Sequence, residues 1–347
     1  MRPSQVMEAL AQSYKMGKDG PRVFLVGSPG AGKTSLVYQL PQYMGKDLKE
    51  CPVFVYQATL YAPDEIKGLA ALKNNPDGTQ EAVYLRFQDM PSMEHGVLVI
   101  DDLPHAPTAT QNALMRLILE GICGAWDLGG VIPFATGNRA TDKAGAKDMQ
   151  TALSNRFTRI ELDINYEDWR SWAISADVRP EVIAFLGTPY GQEWLSNEKF
   201  SPNNQVNPTP RSWEKAGQWF NAFNGKGDVL RECLNGCIGG EATSKFLGWL
   251  KVYSKLPDLN KIIAGERLYP DDLDVFYAAV SGLVQIAKQS EKKTKTYQTL
   301  VDYIVNIPDR FTEMGVMMSR DLYTLDKKSF AACNLDKWQN KYESVVL

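Results

Sequence analysis

Short apolar runs alternate with amphipathic stretches over the first 165 residues of the chain. The runs are rich in β-branched and aromatic residues and predict buried strands, whereas the stretches between them show helical spacing. Strands that are apolar on both faces are typical of a parallel sheet covered by helices. The pattern therefore predicts an α/β fold, a three-layer αβα domain with a five-stranded parallel sheet. The predicted strands are residues 23–26, 53–58, 96–102, 131–136 and 156–163.

From Tyr166 onward the pattern changes to helical periodicity alone. We therefore expect residues 1–165 to form the α/β domain and residues 166–287 to form an all-α domain. Residues 288–347 are expected to be a helical C-terminal extension. It begins with a stretch that contains four lysines, 288–296, which we interpret as a solvated connector.

Two segments of the α/β region carry turn signals between strand-forming residues. Residues 66–88 contain the turn Asn-Asn-Pro-Asp-Gly, and residues 121–130 contain Asp-Leu-Gly-Gly, so both predict hairpins. Residues 140–148 are small and polar and predict a mobile loop. The helix that follows the first strand is expected to end near Pro41 because proline cannot continue a helix without losing a hydrogen bond.

Composition and charge narrow the class of protein. Of 347 residues, 44% are hydrophobic and 23% are charged, as in ordinary globular proteins. The net charge of −3 argues against a partner held mainly through nucleic-acid phosphates, although a local basic patch stays open. Five scattered cysteines without metal-ligand spacing indicate a reducing compartment. No apolar run approaches the roughly twenty residues of a membrane span, and no signal-peptide core is present, so we expect a cytoplasmic protein.

A glycine-rich loop lies between the first predicted strand and an apolar helical stretch. It fits the phosphate-binding pattern G-x-x-x-x-G-K-[ST], in which backbone N–H groups turn inward on a phosphate at the positive end of a helix. Lys33 can bridge the β- and γ-phosphates, and the Thr34 hydroxyl can hold Mg²⁺. ATP and Mg²⁺ are therefore the expected cofactors. The residues assigned to nucleotide contacts here are Gly27, Ser28, Pro29, Gly30, Ala31, Gly32, Lys33, Thr34 and Ser35.

Two carboxylates end the clearest buried strand, 96–102. The carboxyl ends of strands in open α/β sheets are where ligands bind. Asp101 is expected to hold Mg²⁺, directly or through water, and Asp102 to orient and deprotonate the attacking water. An apolar strand that simply ends in a polar turn is the alternative, and the position 67 residues after Thr34 in an alternating βα chain weighs against it.

Asn138 follows the next predicted strand, 131–136. An amide at a strand end beside a nucleotide can bond both the γ-phosphate and the attacking water. An asparagine in a plain turn is the alternative, since this residue type is common in turns.

Six motifs in order resemble the AAA+ ATPases, and within them the MoxR-like group of the helix-2-insert branch. The phosphate loop has the G-x-P-G-x-G-K-T form of AAA+ proteins. After it, that group shows D-x-x-G, a strand ending D-E, A-P-x-x-x-Q-x-A-L-x-x-x-x-x-E-G, A-T-x-N, L-x-x-R-F and S-P-R. The resemblance covers about residues 20–215. The counterparts in this chain are 64–68 (one residue longer), 99–102, 106–121, 135–138, 153–157 and 209–211.

The resemblance implies roles that the spacing alone does not give. Such proteins form rings, usually hexamers, with ATP between subunits and an α-helical lid, here 166–287. Arg156 would be the arginine that reaches the neighbour's γ-phosphate, Asn138 the first sensor and Arg211 the second, acting in cis or in trans. The two hairpins would face the pore and the partner. Family members typically remodel a protein partner, often one with a von Willebrand factor A domain.

One position departs from the family pattern, because Asp102 stands where the family has a catalytic glutamate. The side chain is one methylene shorter, and a misplacement of about 1 Å can cost roughly a hundredfold in rate. We therefore expect slow ATP hydrolysis. Three functions stay open at this point: a motor that remodels a protein, a nucleotide-gated assembly switch with incidental turnover, and a DNA-directed AAA+ protein.

Overall fold

The computed structural model divides the chain into two compact units, Met1–Ile164 and Asn165–Leu347, and each is described by itself. Of the loop predicted at 140–148, only residue 142 lies among the described residues. The structure describes all residues except 88–93, 125, 140, 141, 143–148, 150, 197, 198, 200, 202, 203, 254 and 347.

The first unit alternates helices and strands. Its elements are α1 (Pro3–Lys15), β1 (Arg22–Val26), α2 (Lys33–Tyr43), β2 (Val53–Gln57), α3 (Pro63–Lys67), β3 (Leu69–Asn74), β4 (Gln80–Leu85), β5 (His95–Asp101), α4 (Thr108–Glu120), β6 (Ile122–Cys123), β7 (Trp126–Asp127), β8 (Gly130–Gly137), α5 (Thr151–Ser154) and β9 (Phe157–Glu161).

Five strands form one parallel sheet in the order β2-β5-β8-β1-β9. Alternate residues of a strand point to opposite faces. In β5, Leu98 and Ile100 join the core that contains α4, whereas Val97 and Val99 join the core that contains α1 and α2. The sheet is therefore covered on both faces, and the predicted three-layer αβα fold with five parallel strands is confirmed.

The local predictions for this unit agree with the structure, with one exception. β3 pairs antiparallel with β4, and β6 with β7, so both hairpins are confirmed. The helix α2 ends at Tyr43, two residues beyond Pro41, so it ends near the predicted position but Pro41 does not itself stop it. Pro41 lies in the last turn, where the N–H groups of Met44 and Lys46 donate to its carbonyl oxygen. A proline so close to the end costs one hydrogen bond without interrupting the rest of the helix.

The second unit is helical. The expected division into a lid at 166–287 and an extension at 288–347 stays a prediction. Its helices are α6 (Tyr166–Ser175), α7 (Pro180–Gly187), α8 (Pro189–Gln192), α9 (Pro210–Ala222), α10 (Asp228–Ile238), α11 (Gly240–Tyr253), α12 (Leu259–Ile263), α13 (Leu273–Gln289), α14 (Lys293–Val305), α15 (Thr312–Leu325), α16 (Lys327–Ala331) and α17 (Asp336–Val346).

The stretch 288–296 is a solvated connector only in part, because residues 291–295 are exposed whereas its two ends belong to α13 and α14. Lys288 lies in the last turn of α13, where its ammonium group donates to the carbonyl oxygens of Ile174 and Ser175 and pairs with Asp177 at 2.5 Å. Lys293 begins α14 and pairs with Asp326 at 3.3 Å. Lys288 and Lys293 form contacts within the helical unit because their helices pack there. The number of lysines in the stretch did not predict these contacts.

A buried ion pair joins α6 to α15. The Nε atom of Arg170 donates to Asp321 at 2.8 Å, and the two side chains are 1% and 3% exposed. Burial lowers the pKa of Arg170, but the Asp321 carboxylate outweighs that effect and leaves this pKa raised. Tyr166 and Ser281 complete the cluster through bonds to the guanidinium group. The charges are therefore compensated within the core, as buried charges must be.

Among the described residues, no helix combines the length and the apolar character needed to cross a membrane.

Replacing Asp321 with Asn should destabilise the helical unit by about 3–5 kcal/mol, because Arg170 is then buried without a counter-charge. Urea unfolding followed by tryptophan fluorescence measures this, since Trp126 is the only tryptophan in residues 1–164. Glu167→Gln is the matched control. It breaks an exposed pair with Arg320, at 2.5 Å between the same two helices, and should cost about 0–1 kcal/mol. Equal effects of both variants would contradict the prediction.

Candidate functional site

The loop between β1 and α2 has the backbone conformation that the phosphate-binding pattern requires. Gly30 and Gly32 have φ angles of 74° and 93°, in the region that glycine enters at little cost. The loop pattern predicts that Gly27, like Gly30 and Gly32, adopts backbone angles closed to other residues, and for Gly27 this prediction is wrong, since its φ angle is not positive. A Cβ atom at Gly27 would lie 3.2 Å from the carbonyl oxygen of Leu162, so close packing explains this glycine. The N-terminus of α2 follows directly, which suits a bound anion.

Lys33 is buried, and its ammonium group is surrounded by oxygen acceptors. It donates to the carbonyl oxygens of Gly27 and Ser28, both at 3.0 Å, and to the side-chain oxygen of Asn138 at 2.8 Å. Asn138 therefore lies at the phosphate loop, where β8 ends beside β1, as the sequence predicts. Together the two side chains place an amide and an ammonium group at one point of the loop.

Thr34, in α2, and Asp101, at the end of β5, are also in contact at the phosphate loop. The Thr34 hydroxyl donates to the Asp101 carboxylate at 2.9 Å. A second hydroxyl, that of Thr136 on β8, also donates to this carboxylate. A hydroxyl and a carboxylate are oxygen donors of the kind Mg²⁺ prefers, and Mg²⁺ usually keeps several waters and adds substrate phosphates. The residues present therefore fit the predicted magnesium site.

Asp102 has an unusual backbone conformation. Its φ angle of 52° places it in the left-handed region, and a one-turn 3₁₀ helix, Leu103–His105, follows. Its backbone N–H donates to the Thr136 hydroxyl at 3.3 Å, and its carboxylate lies 3.7 Å from Nδ1 of His105. The carboxylate is 48% exposed. It therefore borders the site with one face in solvent, where a water molecule has access.

Arg156 lies far from the phosphate loop of its own chain. It precedes β9, which runs parallel to β1 with Phe157 opposite Arg22 and Glu161 opposite Val26. The start of β9 is therefore one strand length from the end of β1 where the loop begins, on the order of 13 Å at about 3.3 Å per residue. Arg156 is partly exposed at that opposite edge of the sheet.

The remaining predicted residues lie at helix starts. Ser35 is exposed in the first turn of α2. Arg211 belongs to the helical unit, where it is exposed in the first turn of α9, a helix capped by Thr209.

Two residues of the site were not assigned roles from the sequence. Thr136 was quoted only as part of the A-T-x-N motif, yet it contacts both Asp101 and Asp102. His105 lies 3.5 Å from the Asn138 amide through Nε2. The sequence does carry one signal for Thr136, because this residue is the polar end of a predicted buried strand, 131–136. For His105 the only signal is its rarity, since the chain has two histidines.

A comparison with protein families now bears on this site. Residues 22–158 match the model of the AAA domain, dynein-related subfamily. That range contains the phosphate loop, Asp101, Asp102, Asn138 and Arg156. The chain therefore carries an AAA domain, and ATP is the ligand that such a domain supports. No curated protein is significantly similar to the chain in sequence.

Solved structures similar to the chain are distant. A mutant of RuvB from Thermotoga maritima is 16% identical with a TM-score of 0.41, over 81% of this chain and 82% of RuvB. NtrX of Brucella abortus in complex with ATP is 13% identical with a TM-score of 0.39, over 99% of this chain and 67% of NtrX. In another NtrX structure the match spans 66% of that chain. At this distance the structures carry no argument about activity, which rests on the residues above.

Replacing Thr136 with Val should weaken ATP binding in the presence of Mg²⁺ by about tenfold, because Asp101 loses a partner that orients it. Titration of a fluorescent ATP analogue with Mg²⁺ and with EDTA measures this, and the EDTA value should stay at that of the parent. Thr110→Val is the matched control, since Thr110 is equally buried and bonds the carbonyl oxygen of Tyr61 instead. Parental affinity of Thr136→Val for MgATP would contradict the role of Thr136.

Proposed function

We propose that this chain is an ATP-hydrolysing AAA+ ring protein of the MoxR-like type that remodels or activates a protein partner. The observation that carries the ATPase part is the joint placement of four side chains at the phosphate loop. Lys33 contacts Asn138, and Thr34 contacts Asp101, from three different elements of the α/β unit. We would not expect an unrelated glycine-rich turn to place an ammonium, an amide, a hydroxyl and a carboxylate group together.

Each side chain has a role in hydrolysis that its position supports. Lys33 binds the β- and γ-phosphates, and Thr34 and Asp101 would hold Mg²⁺, which neutralises phosphate charge when bound. Asp102 accepts a proton from water as its oxygen attacks the γ-phosphorus and the bond to the β–γ bridging oxygen breaks, giving ADP and phosphate. Asn138 orients the γ-phosphate and this water.

The position of Arg156 supports a role in a neighbouring subunit. Its own phosphate loop is at the opposite edge of the sheet, so we assign the Arg156 guanidinium group to the γ-phosphate that another copy of the chain binds. In a ring each subunit offers one face to the next. The hexameric number and the assignment of Arg211 as second sensor come from the family resemblance.

The hairpin β3–β4 supports a protein partner. Leu69, Leu72, Tyr84 and Leu85 are 58%, 73%, 49% and 52% exposed within one chain. Leu69 and Leu85 share one face of the hairpin and Leu72 and Tyr84 the other, so both faces present apolar side chains, which favours an interaction site. The base of this hairpin packs on the second hairpin, because a Cβ atom at Gly68 would lie 2.5 Å from the Trp126 ring. We assign the two hairpins to the partner face. A partner with a von Willebrand factor A domain is proposed from the resemblance.

A nucleotide-gated assembly switch with slow hydrolysis is the second candidate, favoured by the short and half-exposed Asp102 carboxylate. The two candidates differ in turnover, since a motor hydrolyses ATP faster when its partner is added and a switch does not. A DNA-directed protein loses support, because Lys288 and Lys293 of the basic stretch are paired within the helical unit.

Asp102→Asn should lower the rate of ATP hydrolysis by about 10²–10⁴-fold, the usual contribution of a general base, and leave ATP affinity unchanged. Phosphate release and binding of a fluorescent ATP analogue measure the two quantities. Lys33→Ala is the comparison, because it should abolish binding itself. Hydrolysis by Asp102→Asn at the parental rate would refute the catalytic assignment, and failure of the parent to bind ATP would refute the proposed function.

Arg156→Ala and Asp102→Asn subunits should each be inactive alone and recover hydrolysis when mixed. In a mixed ring, an Arg156→Ala subunit keeps Asp102 and receives Arg156 from an Asp102→Asn neighbour. Equal mixing should restore about one interface in four, by random placement in a head-to-tail ring. Arg159→Ala, an exposed arginine on β9, is the matched control and should keep parental activity. Absence of recovery on mixing would place Arg156 in cis or outside catalysis.

A further inference from the structure

His105 lies between the two residues that flank the attacking water in the proposed mechanism. Its Nε2 atom is 3.5 Å from the Asn138 side-chain nitrogen, and its Nδ1 atom is 3.7 Å from an Asp102 carboxylate oxygen. The ring is only 15% exposed. Asn138 in turn contacts Lys33 at 2.8 Å. Lys33, Asn138, His105 and Asp102 therefore form a chain of successive polar neighbours, and the last gap, 3.7 Å, is wider than a hydrogen bond.

The backbone fixes this arrangement. Asp102 turns the chain in the left-handed conformation, and the N–H of His105 donates to the Asp102 carbonyl oxygen at 2.9 Å. This turn brings the His105 ring to 3.7 Å from the Asp102 carboxylate. Gly137 lets the end of β8 approach, because a Cβ atom there would lie 2.6 Å from the Pro104 ring. The ring thus meets Asn138, the next residue.

The hydrogen-bonding capacity of each group fixes the direction of the chain. The Lys33 ammonium group can only donate, so the Asn138 oxygen accepts from it and the Asn138 nitrogen points to His105. Because that nitrogen is a donor, Nε2 of His105 has to accept. The neutral ring then carries its hydrogen on Nδ1, the atom that faces Asp102.

We propose that His105 is a positioning residue that links the γ-phosphate sensor Asn138 to Asp102 and holds the Asp102 carboxylate for attack by water. This inference rests on the proposed ATPase function. The proposed role of His105 explains how an aspartate, Asp102, could act where the related proteins have a glutamate. The carboxylate is half exposed and can rotate about its own bonds. The Nδ1 atom of His105 lies 3.7 Å away, beyond hydrogen-bond distance in this structure, and we propose that the contact shortens when nucleotide and water are bound, as catalytic hydrogen bonds often do. A shift of Asn138 toward a γ-phosphate is passed to Asp102 through one rigid ring.

Kinetics of three variants of the full chain test this role. Asn at position 105 keeps a nitrogen near the place of Nδ1, whereas Gln reaches the place of Nε2 and Ala reaches neither. We expect kcat for ATP to fall about 10–100-fold in His105→Ala and His105→Gln, and less than about threefold in His105→Asn, the range typical of orienting partners. KM and nucleotide affinity should stay parental in all three, because the proposed role of the ring is to position Asp102 and not to bind the nucleotide.

His95→Asn is the matched control. His95 is the other histidine of the chain and is exposed at the start of β5, the opposite end of the strand from Asp102. It should leave both kcat and KM unchanged. Adding His105→Ala to Asp102→Asn should cause no further loss, because a residue that acts only through Asp102 has nothing left to position.

Several results would overturn the inference. They are parental kcat in His105→Ala, better rescue by Gln than by Asn, and a rise in KM that accompanies the loss of kcat. If the parent is active and Asp102→Asn is not, these results refute the role of His105 alone. If the parent hydrolyses no ATP, or Asp102→Asn equals the parent, both the proposed function and this inference fail.

The tautomer of His105 gives a readout that a merely structural residue would not share. Long-range ¹⁵N–¹H spectra of the chain labelled in histidine contain two rings, and His95→Asn assigns them. We expect the neutral form of His105 to carry its hydrogen on Nδ1, and this signature to change in Asn138→Ala, which removes the donor to Nε2. A hydrogen on Nε2 in the parent would contradict the direction of the chain and overturn the inference.

Discussion

The site depends on the register of three parallel strands. β1 leads into the phosphate loop, β5 ends in Asp101, and β8 ends near Asn138. Because Ile100 lies opposite Ala135 and Val26 opposite Gly137, these strand ends fall at one level. A slip of one residue would turn each side chain to the other face, and the two buried cores, one on each face of the sheet, oppose such a slip. The apolar packing of the sheet therefore also sets the polar geometry.

The chemistry at this edge combines a phosphate loop of the usual pattern with an unusual acid. Lys33 and Thr34 are fixed by the helix that carries them, whereas Asp102 depends on a left-handed turn and on what surrounds it. Thr136 accepts a hydrogen bond from the backbone N–H of Asp102 at 3.3 Å, and His105 lies 3.7 Å from the Asp102 carboxylate, so a strand end and a one-turn helix surround this short acid. A glutamate at position 102 would place its carboxylate one methylene further from the backbone. The position of the carboxylate therefore depends both on the left-handed turn and on the short side chain.

The sequence predicted the five strands, both hairpins and the three-layer architecture, because apolar periodicity and turn residues are local signals that tertiary packing reinforces here. It also indicated Lys33, Thr34, Asp101 and Asn138, whose types and spacing are set by the phosphate loop and by strand ends. It was wrong where packing decides locally. α2 tolerates Pro41 in its last turn, and Lys288 is drawn into the helical unit by carbonyl oxygens of a helix more than a hundred residues away. Gly27 is required by the nearby Leu162 carbonyl rather than by its own backbone angle.

By itself, the sequence determined the order of elements and the residue types at the ends of the strands. Both follow from short-range rules: apolar spacing selects helix or strand, and glycine permits the loop. Only the tertiary structure decided which strand ends are neighbours at atomic distance, that Thr136 serves two carboxyl residues, and that His105 stands between Asn138 and Asp102. Apart from the contact between His105 and Asp102, which are three residues apart, those contacts and that of Lys33 with Asn138 join residues 33 to 105 positions apart. Side-chain distances across such separations depend on the packing of the whole sheet, which no local pattern encodes.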